Sequence, residues 1–523
     1  MTKPIAGSLE YWAQQKPNEP AIIDESGNEL TWKDWNDKAN QLAEAFIQKG
    51  INPLDIVAVR SHIRKEWFII NRAFAKIGCS TLTVNWRLTP SEVRYMIEDS
   101  GAKAIVFDDE DPVSFTNELK DMNLNAWLTI GTNHSIPGVD RIEDIISRTT
   151  APLRFADGKK VPKIVYTSGT TGKPKGVHLP LTLLKEREKE ITEYMLDMEK
   201  AKKVSPSPEN KTLLTLPLHH GAGPHAAELA HSKGNTVVLL KRFNPERSLQ
   251  LIEQYKISTW VTVPTMLKRV AALPKEILEK YDVSSITFLS CGAAPVSSVL
   301  KQWAISYFGE NVLYESYGSS ETGLVSLIPP DMIMVKLGSS GRPYKNVHVS
   351  VRDEQGNPLP QGVPGELWIK SPMTIESYLN REPLGPDTLD KQGYFRVGDV
   401  GYLDEDGYLY ITDRKKDMII SGGVNIYPAE IESVLLKHPA IQDVAVIGIP
   451  HDDFGEQVKA FCELKTGANI SENELHEFSK KELAVYKLPR SIEIVQELPR
   501  NTMGKLLKNE LRAQYWRERE RNI

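Results

Sequence analysis

Cysteine is scarce, neither charge is in excess and long apolar runs are missing. Three cysteines, Cys79, Cys291 and Cys462, stand far apart in 523 residues and form no CxxC pair. That argues against a disulfide frame or a cysteine zinc site and for a reducing compartment. Lysine and arginine number 64 against 69 aspartates and glutamates, a formal charge of −5, with a pI near 6.2. No basic face proposes nucleic acid, and no acidic tail proposes a basic partner. No apolar stretch approaches the ~20 residues of a membrane helix. The opening MTKPIAGSLEYWAQQK lacks the charged and apolar blocks of a signal peptide. The expectation is a soluble cytoplasmic protein with no nucleic acid and no integral membrane association. Its length suits two or more domains with sizeable cores.

What is present alternates short apolar runs with amphipathic segments. Trp35, Ala39, Leu42, Ala43 and Phe46 recur at helical spacing, and that helix should stop at Gly50. Strands are expected over 56–59, 81–84 and 104–107, with helices over 67–77 and 91–99 between them. Further strands are expected over 237–240, 260–263 and 286–290. This beat predicts α/β layers with a largely parallel sheet. The Glu- and Lys-rich stretch 185–203 reads as a solvent-facing helix rather than a binding patch. From Val347 the turn strings RDEQGNP and DEDG predict hairpins, hence a small antiparallel subdomain around GELWIKSP. Past residue 415 the texture becomes α+β, with a helix opening at Pro428, strands at 444–449 and 460–464, a helix over 472–483 and a strand at 492–495. The expected domains are 1–415 and a smaller, mobile 416–523. The closing QYWRERERNI reads as a charged helical tail.

Chemistry gathers in six strings. Tyr166 to Gly176 reads YTSGTTGKPKG. Its glycines let the backbone approach a ligand closely. The hydroxyls of Thr167, Ser168, Thr170 and Thr171, the peptides around Gly169 and Gly172, and the charges of Lys173 and Lys175 suit a polyphosphate. The spacing is not that of the Walker loop, because Pro174 replaces the required Ser or Thr. LPLHHGAGPHAA, Leu216 to Ala227, is crowded with small residues: Gly221, Ala222, Gly223, Ala226 and Ala227. These leave volume for a roomy pocket or for tight helix packing. The spacing of His219, His220 and His225 matches no usual metal site. CGAAP places Gly292, Ala293 and Ala294 at a strand's carboxyl end, where open α/β sheets bind ligands. In YESYGSSETG, Tyr314 to Gly323, Tyr317 offers a ring for a base and Glu321 a hard oxygen for Mg²⁺. FRVGD ends in Asp399, whose carboxylate can accept from two ribose hydroxyls. PRNTMGK carries Lys505 near the chain's end.

Taken in order, these strings resemble the motifs of the adenylate-forming enzymes, the superfamily of acyl-CoA synthetases, luciferases and peptide-synthetase adenylation domains. The likeness implies that Lys505, Glu321, His220 and Thr167 are catalytic, with Glu321 also the metal ligand. It extends the ATP and AMP contacts from the phosphate loop and the 292–294 shelf to Glu315, Ser316, Gly318 and Ser320, and to Arg414 beside Asp399 and Lys505. It further implies an acyl pocket at His220, Gly221, Ala226, Val263 and Gly318, CoA access at Gly422 and Gly423, and a hinge at Lys416. The family often has an aromatic residue where this chain has His219. The implied reaction is ATP-dependent. A carboxylic acid becomes an acyl-adenylate with Mg²⁺ present, and then a thioester of coenzyme A. LHHGAGPHAAELA, VPTMLKR, SSGRP and NREPL resemble acid–CoA ligases of the bile-acid–CoA ligase type, which implies a bulky apolar acid, steroidal, terpenoid or otherwise cyclic. A medium- or long-chain fatty or an aromatic acid is the alternative, as is a separate carrier protein in place of CoA. A homodimer is compatible with this reading. A peptide-synthetase adenylation domain would usually place an Asp near residue 220, and none is there. A luciferase-like oxygenase on the same fold and a non-catalytic adenylate binder are the remaining rivals; Lys505 and Glu321 argue against the latter.

Overall fold

A computed structural model describes residues 4–132, 135–149, 162–167, 173–203, 207, 209–421, 424–501 and 504–516. Among them the strands fall into four sheets. In one, Phe288–Gly292, Thr259–Thr262, Lys211–Leu214, Thr236–Leu239 and Pro20–Ile23 run parallel in that spatial order. Leu313–Ser319 extends it in parallel, and Gly323–Ile328 returns antiparallel. In a second, Ala126–Thr129, Ala104–Phe107, Ile56–Arg60, Ser80–Val84 and Lys163–Thr167 are parallel, closed by antiparallel Lys175–Val177.

Two helices fill the space between these sheets. Trp32–Gln48 starts where the Thr31 hydroxyl accepts from the Asp34 amide, satisfying one of the helix's open donors. Its buried stripe contains Trp35, Ala39, Leu42, Ala43 and Phe46, and Phe46 meets Phe74 of Lys65–Ile77 edge to face at 4.8 Å. Val57, Val59 and Val106 approach from one sheet and Ile22, Val237 and Leu239 from the other. Each such large side chain stabilises the fold by about 1.5–3 kcal/mol when fully buried.

The hairpin strings form a four-stranded antiparallel sheet: His348–Arg352, Gly365–Lys370, Phe395–Leu403 and Leu409–Arg414. The last sheet pairs the long strands Ile441–His451 and Gly455–Leu464, with Ser491–Val495 parallel to the latter. It has its own core of Ile431, Leu435, Val446, Ala460 and Leu475. The fold is thus mixed α/β, with layered, mainly parallel sheets, a small antiparallel sheet and a smaller α+β unit at the carboxyl end.

Three expectations need correction. The 185–203 stretch is not simply solvent-facing. Within Glu188–Ala201, Ile191, Tyr194 and Met198 are buried, and the Tyr194 hydroxyl donates to the Leu324 carbonyl at 2.7 Å. Its many charges had hidden an apolar stripe. The helix expected over 472–483 stops at Ser479, and Leu483 turns back into the core. Of the expected helical tail, the described residues 514–516 are not helical and follow the helix Lys508–Ala513. Trp516 there donates its ring N–H to the Gly448 carbonyl at 3.0 Å, and residues 517–523 lie outside the described part. Among the described residues no helix is long and apolar enough to cross a membrane.

Candidate active site

The carboxyl ends of the parallel strands open onto one cavity of about 2980 Å³. Thr167 ends Lys163–Thr167, Gly292 ends Phe288–Gly292, and Ser316 to Ser319 end their strand. Gly292 is there because nothing larger fits: an added Cβ would lie 2.7 Å from the Ser316 carbonyl oxygen. Ala293 follows at φ 64°, a left-handed conformation that strains a residue with a side chain. Ala294, Glu315, Ser316, Tyr317, Gly318, Ser320 and Glu321 line the same cavity.

Tyr317, Asp399 and Arg414 form a connected set. Asp399 and Arg414 face each other in cross-strand register, with Arg414 Nε 3.3 Å from Asp399 Oδ1. The Tyr317 hydroxyl donates to Asp399 Oδ2 at 2.6 Å. Burial, then the Asp399 charge, holds that phenol protonated far above its ordinary range. Glu321 sits in the turn after Ser319. Its carboxylate accepts from the Thr167 hydroxyl at 3.4 Å and the Tyr378 hydroxyl at 3.5 Å. Among the described residues it forms no ion pair, which leaves its oxygens suited to a hard cation. Lys175 lies over the Tyr378 ring at 5.1 Å. Lys173 lies over Tyr95 at 5.1 Å and is not part of the cavity wall. The Glu315 carboxylate turns to the buried Lys301 ammonium at 2.5 Å. Burial raises the Glu315 pKa, and Lys301 opposes that rise.

Lys505 arrives from the carboxyl-terminal unit. In its loop the Lys505 amide donates to Asn501 Oδ1 at 2.9 Å. Gly504 sits at φ 72°, and an added Cβ would fall 2.1 Å from the Thr265 hydroxyl. The loop therefore rests directly on the start of the helix Pro264–Ala271. Lys268 of that helix reaches across to Asp443 Oδ1 at 2.5 Å, and Asp443 also pairs with Arg500. Burial opposes ionisation of Asp443, yet these two cations hold it below the usual carboxylate range. Burial, then Arg414 and Lys416, lowers the Lys505 pKa to about 8 against the pull of Asp399. Lys416 lies in the short turn Lys415–Asp417 and also lines the cavity.

His220, Gly221, Ala222, His225, Ala226 and Val263 form a further part of the wall. Burial lowers the pKa of His220 and of His225 to about 4, so both are neutral at physiological pH. His219 is more deeply neutral, through burial and then His220. His220 Nε2 and Thr262 Oγ1 are buried without a hydrogen-bond partner. Gly223 and Ala227 do not belong to this wall. A Cβ on Gly223 would meet the Pro217 carbonyl oxygen at 2.7 Å, and Ala227 is packed in the core between the sheets. Helical spacing puts 222 and 226 toward the cavity and 223 and 227 behind them.

Ser168, Gly169, Thr170, Thr171 and Gly172, with Gly422 and Gly423, lie outside the described residues. Residues that sequence reasoning missed are Tyr378, which faces Glu321, and the Lys268–Asp443 pair. No motif marks Tyr378 or Asp443, and nothing in VPTMLKR marks Lys268 for that partner; each contact becomes visible only when segments distant in sequence are brought together.

In sequence and overall fold the chain is similar to known proteins. The AMP-binding enzyme family matches residues 9–379, and the AMP-binding enzyme C-terminal domain matches residues 430–505. The fatty acid–[acyl-carrier-protein] ligase ScoC of Streptomyces coeruleorubidus is 31% identical over 99% of this chain and 98% of its own length. A 2-succinylbenzoate–CoA ligase of Geobacillus kaustophilus is 32% identical over 91% of this chain and 90% of its own. The structure of o-succinylbenzoate CoA synthetase from Bacillus subtilis, in complex with its acyl-adenylate intermediate, matches with TM-score 0.80 and 28% identity over 98% of each chain.

Proposed function

The chain belongs to the AMP-binding enzymes and is an acid–CoA ligase that uses ATP, Mg²⁺ and CoA, and from that premise we propose how its residues share the work and which acid it takes. The nucleotide binds with adenine on the 292–294 shelf against Tyr317, and Asp399 and Arg414 hold its ribose. Thr167, Lys175 and the 168–172 segment hold the phosphates. Glu321 is the residue to hold Mg²⁺, which when bound neutralises phosphate charge. The acid's carboxylate enters beside His220 and Thr262, whose unpartnered polar atoms suit a carboxylate. Lys505 lies between the two anions that must approach each other. It offsets the charge that builds as a carboxylate oxygen bonds to the α-phosphorus and pyrophosphate leaves. Holding both reactants in one cavity makes the attack nearly unimolecular.

For the second step the unit 416–523 swings about Lys416. Lys505 withdraws, and the 422–423 segment opens access for the CoA thiol. The thiol gives up its proton to solvent, the thiolate sulfur bonds to the acyl carbon, the acyl–phosphate oxygen bond breaks, and AMP leaves with the electron pair. Such gating lets one cavity serve two reactions.

The acid in this proposal is bulky and largely apolar, of the steroidal, terpenoid or other cyclic kind that bile-acid–CoA ligases take. The observation that carries it is the size of the cavity beside a wall of Gly221, Ala222 and Ala226. A Cβ on Gly221 would meet nothing within 4 Å. Smaller aromatic or fatty acids form the second reading, favoured by the substrates in the relatives' names. The test is product analysis over a panel of steroidal, terpenoid, aromatic and fatty acids, with and without CoA. AMP, pyrophosphate and an acyl-CoA are expected, with the cyclic acids preferred. ADP and phosphate would contradict adenylation, and a flat preference would contradict the assigned acid.

A further inference from the structure

Along its acyl side the cavity follows one face of the helix Ala222–Ser232. Ala222, Ala226 and Leu229 line it in turn, and Lys233 lines it just past the helix's end. Lys202 and Glu199 line the same end from the neighbouring helix Glu188–Ala201 and its cap. Lys202 Nζ lies 2.8 Å from Glu199 Oε1, and Lys233 pairs with Glu199 Oε2. Two ammonium groups thus share one carboxylate, leaving a charge of +1. Asn235, only 6% exposed, lines this end too, and its Oδ1 has no hydrogen-bond partner. Between this end and His220 the wall includes the apolar Met198, Ala226, Leu229 and Phe288 and the neutral His225.

We propose that Lys202 and Lys233 form a subsite for a second oxygen-bearing group on the substrate acid, a carboxylate or a hydroxyl, about 16 Å from the carboxyl that is activated, where Asn235 Oδ1 can accept from a hydroxyl. This rests on the reading of the His220 end as the carboxylate pole. The distance is the rise of the helix from residue 222 to residue 233. A hydrogen-bond-accepting oxygen there gives the surplus cation a partner in a space partly closed to water, where such a bond is worth more than at a free surface. An all-methylene tip would instead strip water from the lysines and return nothing. Burial already pulls the Lys202 pKa down, and Glu199 only partly restores it. The acid that fits has an apolar body and a polar far end.

The test compares kcat/KM for pyrophosphate release with dodecanoate, ω-hydroxydodecanoate and dodecanedioate, with butanoate as a short control. The expected order is dicarboxylate, then hydroxy acid, then the methyl-ended acid, with about tenfold or more between first and last. Lys202→Met with Lys233→Met should erase that gap and leave butanoate unchanged. Lys233→Gln, which keeps the Lys202–Glu199 pair, should narrow the gap if the double variant fails to fold. Glu199→Gln should widen it for the dicarboxylate, because the local charge rises. Equal rates for the three long acids, or a gap that survives both lysine changes, would overturn the subsite alone. Pyrophosphate release with none of the acids would overturn acid activation itself, and the subsite with it.

Discussion

The two ends of the cavity are built on opposite principles. At the end proposed for the nucleotide side chains hold one another: Tyr317 donates to Asp399, Asp399 faces Arg414, and Thr167 donates to Glu321. At the end proposed for the acid Gly221, Ala222 and Ala226 hold almost nothing, and the histidines among them are neutral. The first end fixes a ligand by direction, since hydrogen bonds and charges fail when misplaced. The second admits a ligand by volume and by what it keeps dry. Changes at the nucleotide end should therefore affect every acid alike, whereas changes at the acyl end should re-sort acids and leave the nucleotide untouched.

The largest effect belongs to Lys505. Lys505→Ala should cut acyl-adenylate formation ~10²-fold or more for all acids, because one preorganised charge contact is worth about 3 kcal/mol. Thioester formation from supplied acyl-adenylate should suffer far less, and stopped-flow measurement of each half-reaction decides it. Next comes Ala226→Phe. Displacing about four methylenes from an enclosed pocket costs ~3 kcal/mol, or ~10²-fold, and only for acids large enough to reach the ring. Unchanged selectivity would show that residue 226 does not meet the acid.

A smaller effect is expected from Lys268→Met, which removes the contact across the two units while Asp443 keeps Arg500. Adenylation should fall about tenfold, the worth of one buried charged hydrogen bond, with the thioester step spared; equal loss in both would remove Lys268 from docking. The mildest lever is pH. Lys505 is buried beside Arg414 and Lys416, and its pKa is about 8. Adenylation by the free enzyme should decline as pH rises through that value, and Lys505→Gln should lack the decline. The sign for docking is the reverse: a cation with a lowered pKa disfavours the docked state, fully below about 8 and not at all above 10.5. In the absence of nucleotide, the docked orientation should therefore gain population between those values. A flat profile by hydrogen exchange would contradict it.

How much was legible in the sequence follows the same division. Thr167, Tyr317, Glu321, Asp399 and Lys505 lie in strings whose glycines and hydroxyls advertise them, and all five line one cavity. The strands before them were readable because buried parallel strands are continuous apolar runs. At the acyl end, small residues are ambiguous between pocket and packing. Only the backbone decides, and it turned Gly223 and Ala227 inward. Lys202 and Lys233 were invisible for another reason. Lys202 in its charged stretch and Lys233 in a Ser-Gly-Asn turn would ordinarily be solvated, and nothing in the local pattern says that both pair with Glu199 at one end of a cavity. Lys268 and Asp443 lie 175 positions apart, a separation no local signal spans.

One measurement weighs the contrast between the two ends directly: the ratio of kcat/KM for a large cyclic acid to that for a short acid, taken in the unaltered enzyme, in Lys505→Ala and in Ala226→Phe. The expected result is a ratio that Lys505→Ala leaves in place while both rates fall, and that Ala226→Phe inverts while the short acid's rate holds. A ratio that moves with Lys505→Ala, or that stays fixed in Ala226→Phe, would contradict the division of labour between the nucleotide end and the acyl end.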